Sequence, residues 1–388
     1  MSNSTKVNYG NPKIPGIISD IKASPIYRRF LDSLRHYEIK TIYDIHTHVS
    51  SGREDLIDDT PSAYLPEFPF SIEDVNHLYD TLFRSEGIHL YSVVFDTPLN
   101  AYSMAKRNDR LLRRLATMPA EESRKVIPFA VVTPDMPRHR IQEYVERGAR
   151  GFKMTPRITS PCFKRGTITD IALADMLNPE ALRVANAHAL PLVVHLPQLV
   201  VQPRMKQSLK DELGQIAIKY PDLRIVLAHL GQAQTPAKIE DLLDWIEKNA
   251  LAEVIWMDIS AVSVPSVLAI ALSSDVKLVF GTDIDFSLTE RGKYIMFKYA
   301  NGQRVLAEPE DNGTVVTTLV STSFGNKLKG FVADEGIDLD APLLLFQLEG
   351  IIDAADRLTQ NGKSWTQMKS ILENLFFRNA ESLLKDQA

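Results

Sequence analysis

Four histidines and one aspartate carry the chemistry legible in this 388-residue chain: His46, His48, His195, His229 and Asp283. Each falls at the end of an apolar run of strand length. The runs are Tyr43-Asp44-Ile45-His46-Thr47-His48, Leu192–His195, Arg224–His229 and Phe280-Gly281-Thr282-Asp283. Residues i and i+2 of a strand share a face, so His46 and His48 aim the same way. Imidazole nitrogens and carboxylate oxygens bind a divalent ion such as Zn²⁺ at about 2.0–2.2 Å, and catalytic sites keep one position open for water. Such an ion lowers the pKa of that water from about 15.7 towards about 7, and a neighbouring carboxylate can take its proton. His46, His48, His195 and Asp283 supply three neutral ligands and one anion. One divalent ion is therefore expected, Zn²⁺ first, with Mn²⁺ also suited to nitrogen and oxygen donors.

A lone His-x-His is a weak motif, and its weight comes from the later strand ends. The other histidines, His36, His77, His89, His139 and His188, sit in helical, loop or strand-start settings. They read as surface or satisfied core side chains. Lys153 ends another run, Gly151-Phe152-Lys153-Met154. Three readings are open for it: a carbamylated lysine bridging to a second metal, an ammonium that binds a substrate oxyanion or carboxylate, or a lysine that snorkels to solvent. Asp44 shares the face of His46 one layer deeper, where it orients a ligand imidazole or serves as a buried structural carboxylate. Arg157 and Arg204 lie on predicted loops and are candidate binders of a substrate anion, because guanidinium pairs well with carboxylate. A plain surface charge is the alternative for each. The single cysteine, Cys162, reads as a tolerated thiol rather than a nucleophile.

These residues need a frame that delivers them to one place. Strand candidates are Thr41–Ile45, Leu90–Phe95, Val126–Val132, Gly151–Met154, Leu192–His195, Arg224–Ala228, Glu253–Ile259 and Lys277–Gly281. Several are almost wholly apolar, as parallel strands covered on both faces must be. Segments of helical period separate them, with start signals at Ser71/Asp74 and at Asn178-Pro179. Eight strands alternating with helices predict an α/β fold, a distorted (β/α)₈ TIM barrel whose strand C-termini share one mouth. Residues 1–22 are polar and carry Pro and Gly, predicting an N-terminal arm, and 23–388 a single domain. An insertion over about 286–340 contains a hairpin signal, Asn301-Gly302. Helices return at about 341–358 and 365–384, the last expected on the barrel exterior.

Apolar residues make up 44% and charged residues 24%, enough to bury a large core, and the formal charge is −5 with both signs interspersed. No basic block predicts nucleic-acid or membrane binding. No Gly-x-Gly-x-x-Gly follows an early strand, which argues against a dinucleotide cofactor. The N-terminus lacks the apolar core of a signal peptide and one cysteine excludes an internal disulfide framework, so a cytoplasmic protein is expected.

The strand Asp44-Ile-His-Thr-His48, the Gly-Phe-Lys153 strand, histidines 195 and 229, and Gly-Thr-Asp283 together resemble the amidohydrolase superfamily, and most of all its amidohydrolase-2 branch. The resemblance spans about residues 40–285, and Arg378-Asn379-Ala380 resembles the closing helix of many members. That branch includes aminocarboxymuconate-semialdehyde decarboxylase-like enzymes, aromatic-acid decarboxylases, and C–C, ester and amide hydrolases. The resemblance implies a metal at the strand C-termini held by His46, His48, His195 and Asp283. His229 would polarise the scissile group or orient the water, and Asp283 would double as general base. It also implies a homo-oligomer, dimer or tetramer, and a site with one metal or, with Lys153 and His229, two. The sequence departs from the pattern at His46, where aromatic-acid decarboxylases often carry Glu, and after Asp283 and His229, which are followed by Ile-Asp285-Phe286 and Leu-Gly-Gln.

The leading expectation is hydrolysis of an ester, amide, lactone or C–C bond in a small carboxylate-bearing substrate. Non-oxidative decarboxylation of a small unsaturated or aromatic acid is the alternative. A non-catalytic metal-binding barrel is a third, against which the complete ligand set argues.

Overall fold

The structure is a computed structural model that describes residues 11–50, 70–98, 104–156, 172–196, 207–300, 303–306, 316–321 and 340–385. Nine parallel-paired strands form its centre: β1 (Thr41–Val49), β2 (His89–Asp96), β3 (Val126–Pro128), β4 (Ala130–Val131), β5 (Phe152–Met154), β6 (Pro191–Val194), β7 (Arg224–Leu227), β8 (Ile255–Asp258) and β9 (Leu278–Val279). They pair in chain order as β1-β2-β3 and β4 through β9. β3 and β4 are one predicted strand interrupted at Phe129. The Phe129 amide donates to Val94 O at 2.8 Å on one side, and the next amide, Ala130, donates to Gly151 O at 3.0 Å on the other. The ring closes where β1 meets the segment after β9: Ile45 N donates to Phe280 O at 2.9 Å, Asp283 N donates to His46 O at 2.8 Å, and His48 N donates to Ile284 O. The predicted eight-stranded barrel is therefore present, with its third strand bent.

Among the described residues, the bend leaves β4 with no hydrogen-bonded strand on its β2 side. The helix Met104–Thr117 fills that place with a side chain. Asn108 Oδ1 accepts from Val131 N at 3.0 Å and its Nδ2 donates to Val131 O at 2.8 Å, so a carboxamide does the work of a strand. Beside it, buried Arg107 pairs with buried Asp96 at the end of β2, 2.9 Å apart.

Alternation along the strands sorts the core. Ile45, Val93, Phe129, Val193, Val226 and Val279 fill the barrel interior, while the opposite faces pack against the helices. Both predicted helix starts are present: Ser71 and Asp74 form a capping box, and Asn178 accepts from the amides of Glu180 and Ala181.

Two terminal segments differ from expectation. Residues 14–23 form a helix rather than a loose arm, because Ile14, Ile18 and Ile21 recur at helical spacing and are buried in the outer core. The last helix, Asn379–Leu384, does not lie on the exterior. Ala380 and Leu383 join the interior cluster, and Arg224, at the start of β7, donates to the carbonyls of Ser382 and Leu383 at 2.9 Å. The helix thus closes the barrel floor, at the end away from the mouth.

The insertion forms a separate antiparallel sheet of β10 (Gly292–Ala300), β11 (Gln303–Leu306) and β12 (Val316–Ser321), in the order β11-β10-β12. The Ala300↔Gln303 pair flanks Asn301-Gly302, as the hairpin signal predicts. Among the described residues, no helix is long and apolar enough to cross a membrane.

Asn108→Leu should destabilise the protein by about 2–4 kcal/mol, because two buried backbone groups of Val131 lose their partners. Chemical denaturation measures this. A loss below about 0.5 kcal/mol, the level of an ordinary surface substitution, would show that the barrel closes this gap without the carboxamide.

Candidate metal centre

The site begins at β1. Its register against β2 shifts between Asp44 and Thr47, a bulge of the kind that re-aims side chains. His46 turns into the barrel interior and is fully buried. Its Nδ1–H donates to Asp258 Oδ2 at 2.9 Å, and its Nε2 accepts from Lys153 Nζ at 3.0 Å. Burial first, and then the Lys153 charge, press the His46 pKa down to about 3, so the ring is neutral with a lone pair on Nε2.

Across the barrel seam stands Asp283, in left-handed backbone with φ 57°. Aspartate is among the few non-glycine residues that adopt this region readily. Its Oδ1 lies 3.1 Å from His48 Nε2 and 3.4 Å from His46 Nε2. Burial pushes the Asp283 carboxyl up, but the His48 hydrogen bond and the surrounding imidazoles outweigh it and hold the group ionised. Gly281, two residues earlier, lets the seam close: a Cβ there would sit 2.8 Å from the Cβ of His46.

His229 follows β7, also in left-handed backbone with φ 55°. Its amide donates to Asp258 Oδ1 and its Nδ1–H to Ser260 O, each at 2.9 Å. Its Nε2 lies 3.1 Å from His195 Nδ1. One carboxylate, Asp258, therefore braces the ring of His46 and the backbone of His229, while Ser260 N donates to it at 3.0 Å and the Ser260 hydroxyl donates as well. Burial raises the Asp258 pKa, but pairing with His46 and nearby Lys153 overcome this and hold it well below the carboxylate range.

The donor set fits a divalent ion. Two donors each about 2.1 Å from one ion lie roughly 3.0–3.5 Å apart, and the Nε2 atoms of His46 and His48 stand 3.4 and 3.1 Å from one Asp283 oxygen. The ligand atoms of His46, His229 and Asp283 all lie within 4.8 Å of one another. Among the described residues, His48 Nδ1 is buried with no hydrogen-bond partner, so its ring is not locked into another bond on that side.

The structure brings His46, His48, Lys153, His195, His229 and Asp283 into one cluster. Lys153 does not snorkel: it is 1% exposed, with Nζ 4.9 Å above the Phe95 ring. Asp44 braces backbone rather than an imidazole. Its Oδ1 accepts from the amides of His46 and Thr282, each at 3.0 Å. Arg157, Arg204 and Cys162 lie outside the described residues. Sequence reasoning missed Asp258, Ser260 and Phe95. Asp258 ends β8 as the histidines end other strands, so the same strand-end rule, extended to carboxylates, finds it. Phe95, whose ring meets both His46 and His48 edge-on, carries no polar atom to draw notice.

A closed parallel barrel with imidazoles and a carboxylate converging at its mouth defines a class of metal-binding barrel proteins. Within it, the amidohydrolase family model matches residues 43–350, and the chain belongs to the amidohydrolase-2 family. No protein of curated function matches it by sequence. Among solved structures it is similar to a probable 2-pyrone-4,6-dicarboxylic acid hydrolase from Acinetobacter baumannii, at 13% identity and TM-score 0.47, covering 89% of this chain and 99% of that one. It is also similar to 5-carboxyvanillate decarboxylase from Sphingomonas paucimobilis, at 11% identity and TM-score 0.44, covering 89% and 99%. An amidohydrolase from Burkholderia multivorans with bound zinc shares 12% identity at TM-score 0.48, with coverage of 89% and 99%.

Asp258→Asn should weaken Zn²⁺ binding by about 10–100-fold, the usual cost of losing the partner that orients a ligating histidine. Titration of metal-stripped protein against a chromophoric chelator measures it. Unchanged affinity would show that Asp258 orients neither His46 nor His229 for a metal.

Proposed function

We propose that this protein is a metal-dependent hydrolase acting on an ester, amide, lactone or C–C bond of a small carboxylate-bearing substrate. The observation that carries the reading is the buried convergence of His46, His229 and Asp283 at the mouth of the barrel. His46, His48 and Asp283 would hold one divalent ion, Zn²⁺ or Mn²⁺, with a further nitrogen from the His195–His229 pair. Bound there, the ion supplies Lewis acidity to a carbonyl and lowers the pKa of a water.

The chain's own groups do the rest. Asp283, held ionised, accepts the proton of the water that adds to the carbonyl carbon. It returns that proton to the leaving group as the scissile bond breaks. The ring of the His195–His229 pair that does not hold the ion faces the scissile carbonyl. With His46 Nε2 given to the ion, the Lys153 ammonium, buried beside His46 and Phe95, would turn from that nitrogen to a substrate carboxylate or to the developing oxyanion. Phe95 shields this corner from water, which strengthens every charge interaction within it.

Incubation of the metal-loaded protein with panels of esters, amides, lactones and carboxylic acids should yield new carboxylate without CO₂. CO₂ release without hydrolysis would replace this reading with non-oxidative decarboxylation. On any substrate found, Asp283→Asn should lower kcat by about 10²–10⁴-fold, the span of general acid–base catalysis, with the metal largely retained. Full activity in that variant would remove Asp283 from the proton-transfer role.

A further inference from the structure

We propose that Asp285 is a specificity-determining residue at the barrel mouth, where its carboxylate takes an O–H or N–H donor carried by the substrate. The inference deepens the hydrolase reading above and rests on it.

Asp285 is 8% exposed, much as Asp283 is at 7%. It lies two residues beyond Asp283, where the seam passes the ends of β1 and β2. A bridge between Thr47 and Ile284 and the bond from His48 N to Ile284 O fix this segment against β1. The Thr97 amide, next after β2, donates to Val49 O at 2.9 Å and brings Thr97 into the same corner.

The Asp285 carboxylate is short of donors there. An ionised carboxylate offers about four lone-pair sites. Among the described residues, its side chain accepts one hydrogen bond, from Thr97 Oγ1 to Oδ2, and 3.4 Å is long for an O–H···O bond. The same hydroxyl lies 3.2 Å from Val49 O, and its single proton cannot serve both acceptors fully. His48 does not make up the deficit. Its Nε2 faces Asp283 at 3.1 Å, and its buried Nδ1 has no hydrogen-bond partner among the described residues.

Nor is the side chain spent on local structure. Asp285 is the N-cap of the helix Phe286–Thr289, a position where an aspartate usually accepts from the first free amides of the helix. Its side chain makes no such bond. The backbone carbonyl serves the helix instead, accepting from Leu288 N at 3.3 Å and Thr289 N at 3.1 Å. The buried aspartates on β1, β2, β8 and the seam are each answered at shorter range. Asp44 accepts from the His46 and Thr282 amides at 3.0 Å, and Asp96 pairs with Arg107 at 2.9 Å. Asp258 accepts from His46 at 2.9 Å and Ser260 N at 3.0 Å, and Asp283 meets His48 at 3.1 Å.

A buried carboxylate without donors is costly. Water can supply them at an open mouth, but a ligand that displaces water must bring its own. A substrate with a hydroxyl or ammonium group at this point satisfies Asp285, whereas one with a methyl group strands it. Such a site discriminates far better than an apolar pocket, because the penalty falls on the protein's own polar group. The substrate class narrows to small carboxylates that carry a second, hydrogen-bond-donating substituent.

The test uses the Zn²⁺-loaded full-length protein and its Asp285→Asn and Asp285→Leu variants, with bound Zn²⁺ and thermal melting measured for each. Calorimetric titration gives Kd for 4-aminobutyrate, 4-hydroxybutyrate and pentanoate, which end in ammonium, hydroxyl and methyl, and for their higher homologues. The homologues scan the reach to Asp285. Expected in the wild type is an ammonium- or hydroxyl-ended acid that binds about 10–100-fold more tightly than the methyl-ended acid of the same length. In Asp285→Leu that preference should shrink to about twofold or less, the size of an ordinary neutral change. In Asp285→Asn the ammonium should lose more than the hydroxyl, because the carboxamide keeps an acceptor and loses the charge. Equal binding of the three end groups at every length, or a preference that survives in Asp285→Leu, would overturn the inference. If the wild type holds no Zn²⁺ or binds none of these acids, the hydrolase reading of the site fails first, and this inference with it.

Discussion

The architecture depends on the seam where the first strand meets the last. Ile45, His46 and His48 exchange backbone hydrogen bonds with Phe280, Asp283 and Ile284 across it. Asp44 is bolted across the same line. Its carboxylate accepts from the amides of His46 and Thr282, from the Thr282 hydroxyl at 2.5 Å, and from the Tyr79 hydroxyl. Burial raises the Asp44 pKa to about 6, although the hydrogen bonds from Thr282, Tyr79 and His46 oppose the shift. A carboxylate so fully satisfied ties the two ends of the barrel together with geometry rather than with bulk. The same closure puts Asp283 within 3.1–3.4 Å of two imidazoles from the first strand. Fold and candidate site are therefore one event: without the seam there is no donor set.

A second organiser works from β8, the strand beside the seam. Asp258 and Ser260 hold His46 and His229 through both ring and backbone contacts. These groups are wholly buried, so each has few alternative partners, and a polar network in low dielectric is stiff when fully satisfied. Stiffness matters for a metal site, because donors pre-set near their bound spacing lose little freedom when an ion arrives. The left-handed backbone at His229 and Asp283 belongs to the same economy of position.

Around this mouth the chain places its insertion. The antiparallel sheet β11-β10-β12 follows Asp283 and the short helix Phe286–Thr289, and the helix Leu343–Gln360 returns from it to the barrel wall. Buried Gln347 of that helix donates to Ile259 O at 3.0 Å and Gly281 O at 2.6 Å, carbonyls just beyond the mouth-facing ends of β8 and β9. The insertion is thus anchored to the strand ends that carry Asp258 and Asp283. Barrels of this kind keep their scaffold and change chemistry through what surrounds the mouth.

The sequence alone determined the strands, their order and the polar residues that end them, because strand alternation, helix caps and the Asn301-Gly302 turn are local signals carried by neighbouring residues. Those signals sufficed to gather His46, His48, His195, His229, Lys153 and Asp283 at one mouth. Tertiary structure decided the rest, since a side chain's partner across the barrel leaves no trace in its own neighbourhood. Asp44 serves backbone amides and not an imidazole because Thr282 and Tyr79 arrive beside it. Asp258 braces two histidines because ring closure leaves only β9 between β8 and β1. Lys153 stays inside because its Nζ meets the Phe95 ring and His46 Nε2 within the barrel. The last helix closes the barrel floor because Ala380 and Leu383 fit the interior that the strands leave open. Period and composition report which face a residue takes, whereas burial and long-range geometry choose what it meets there.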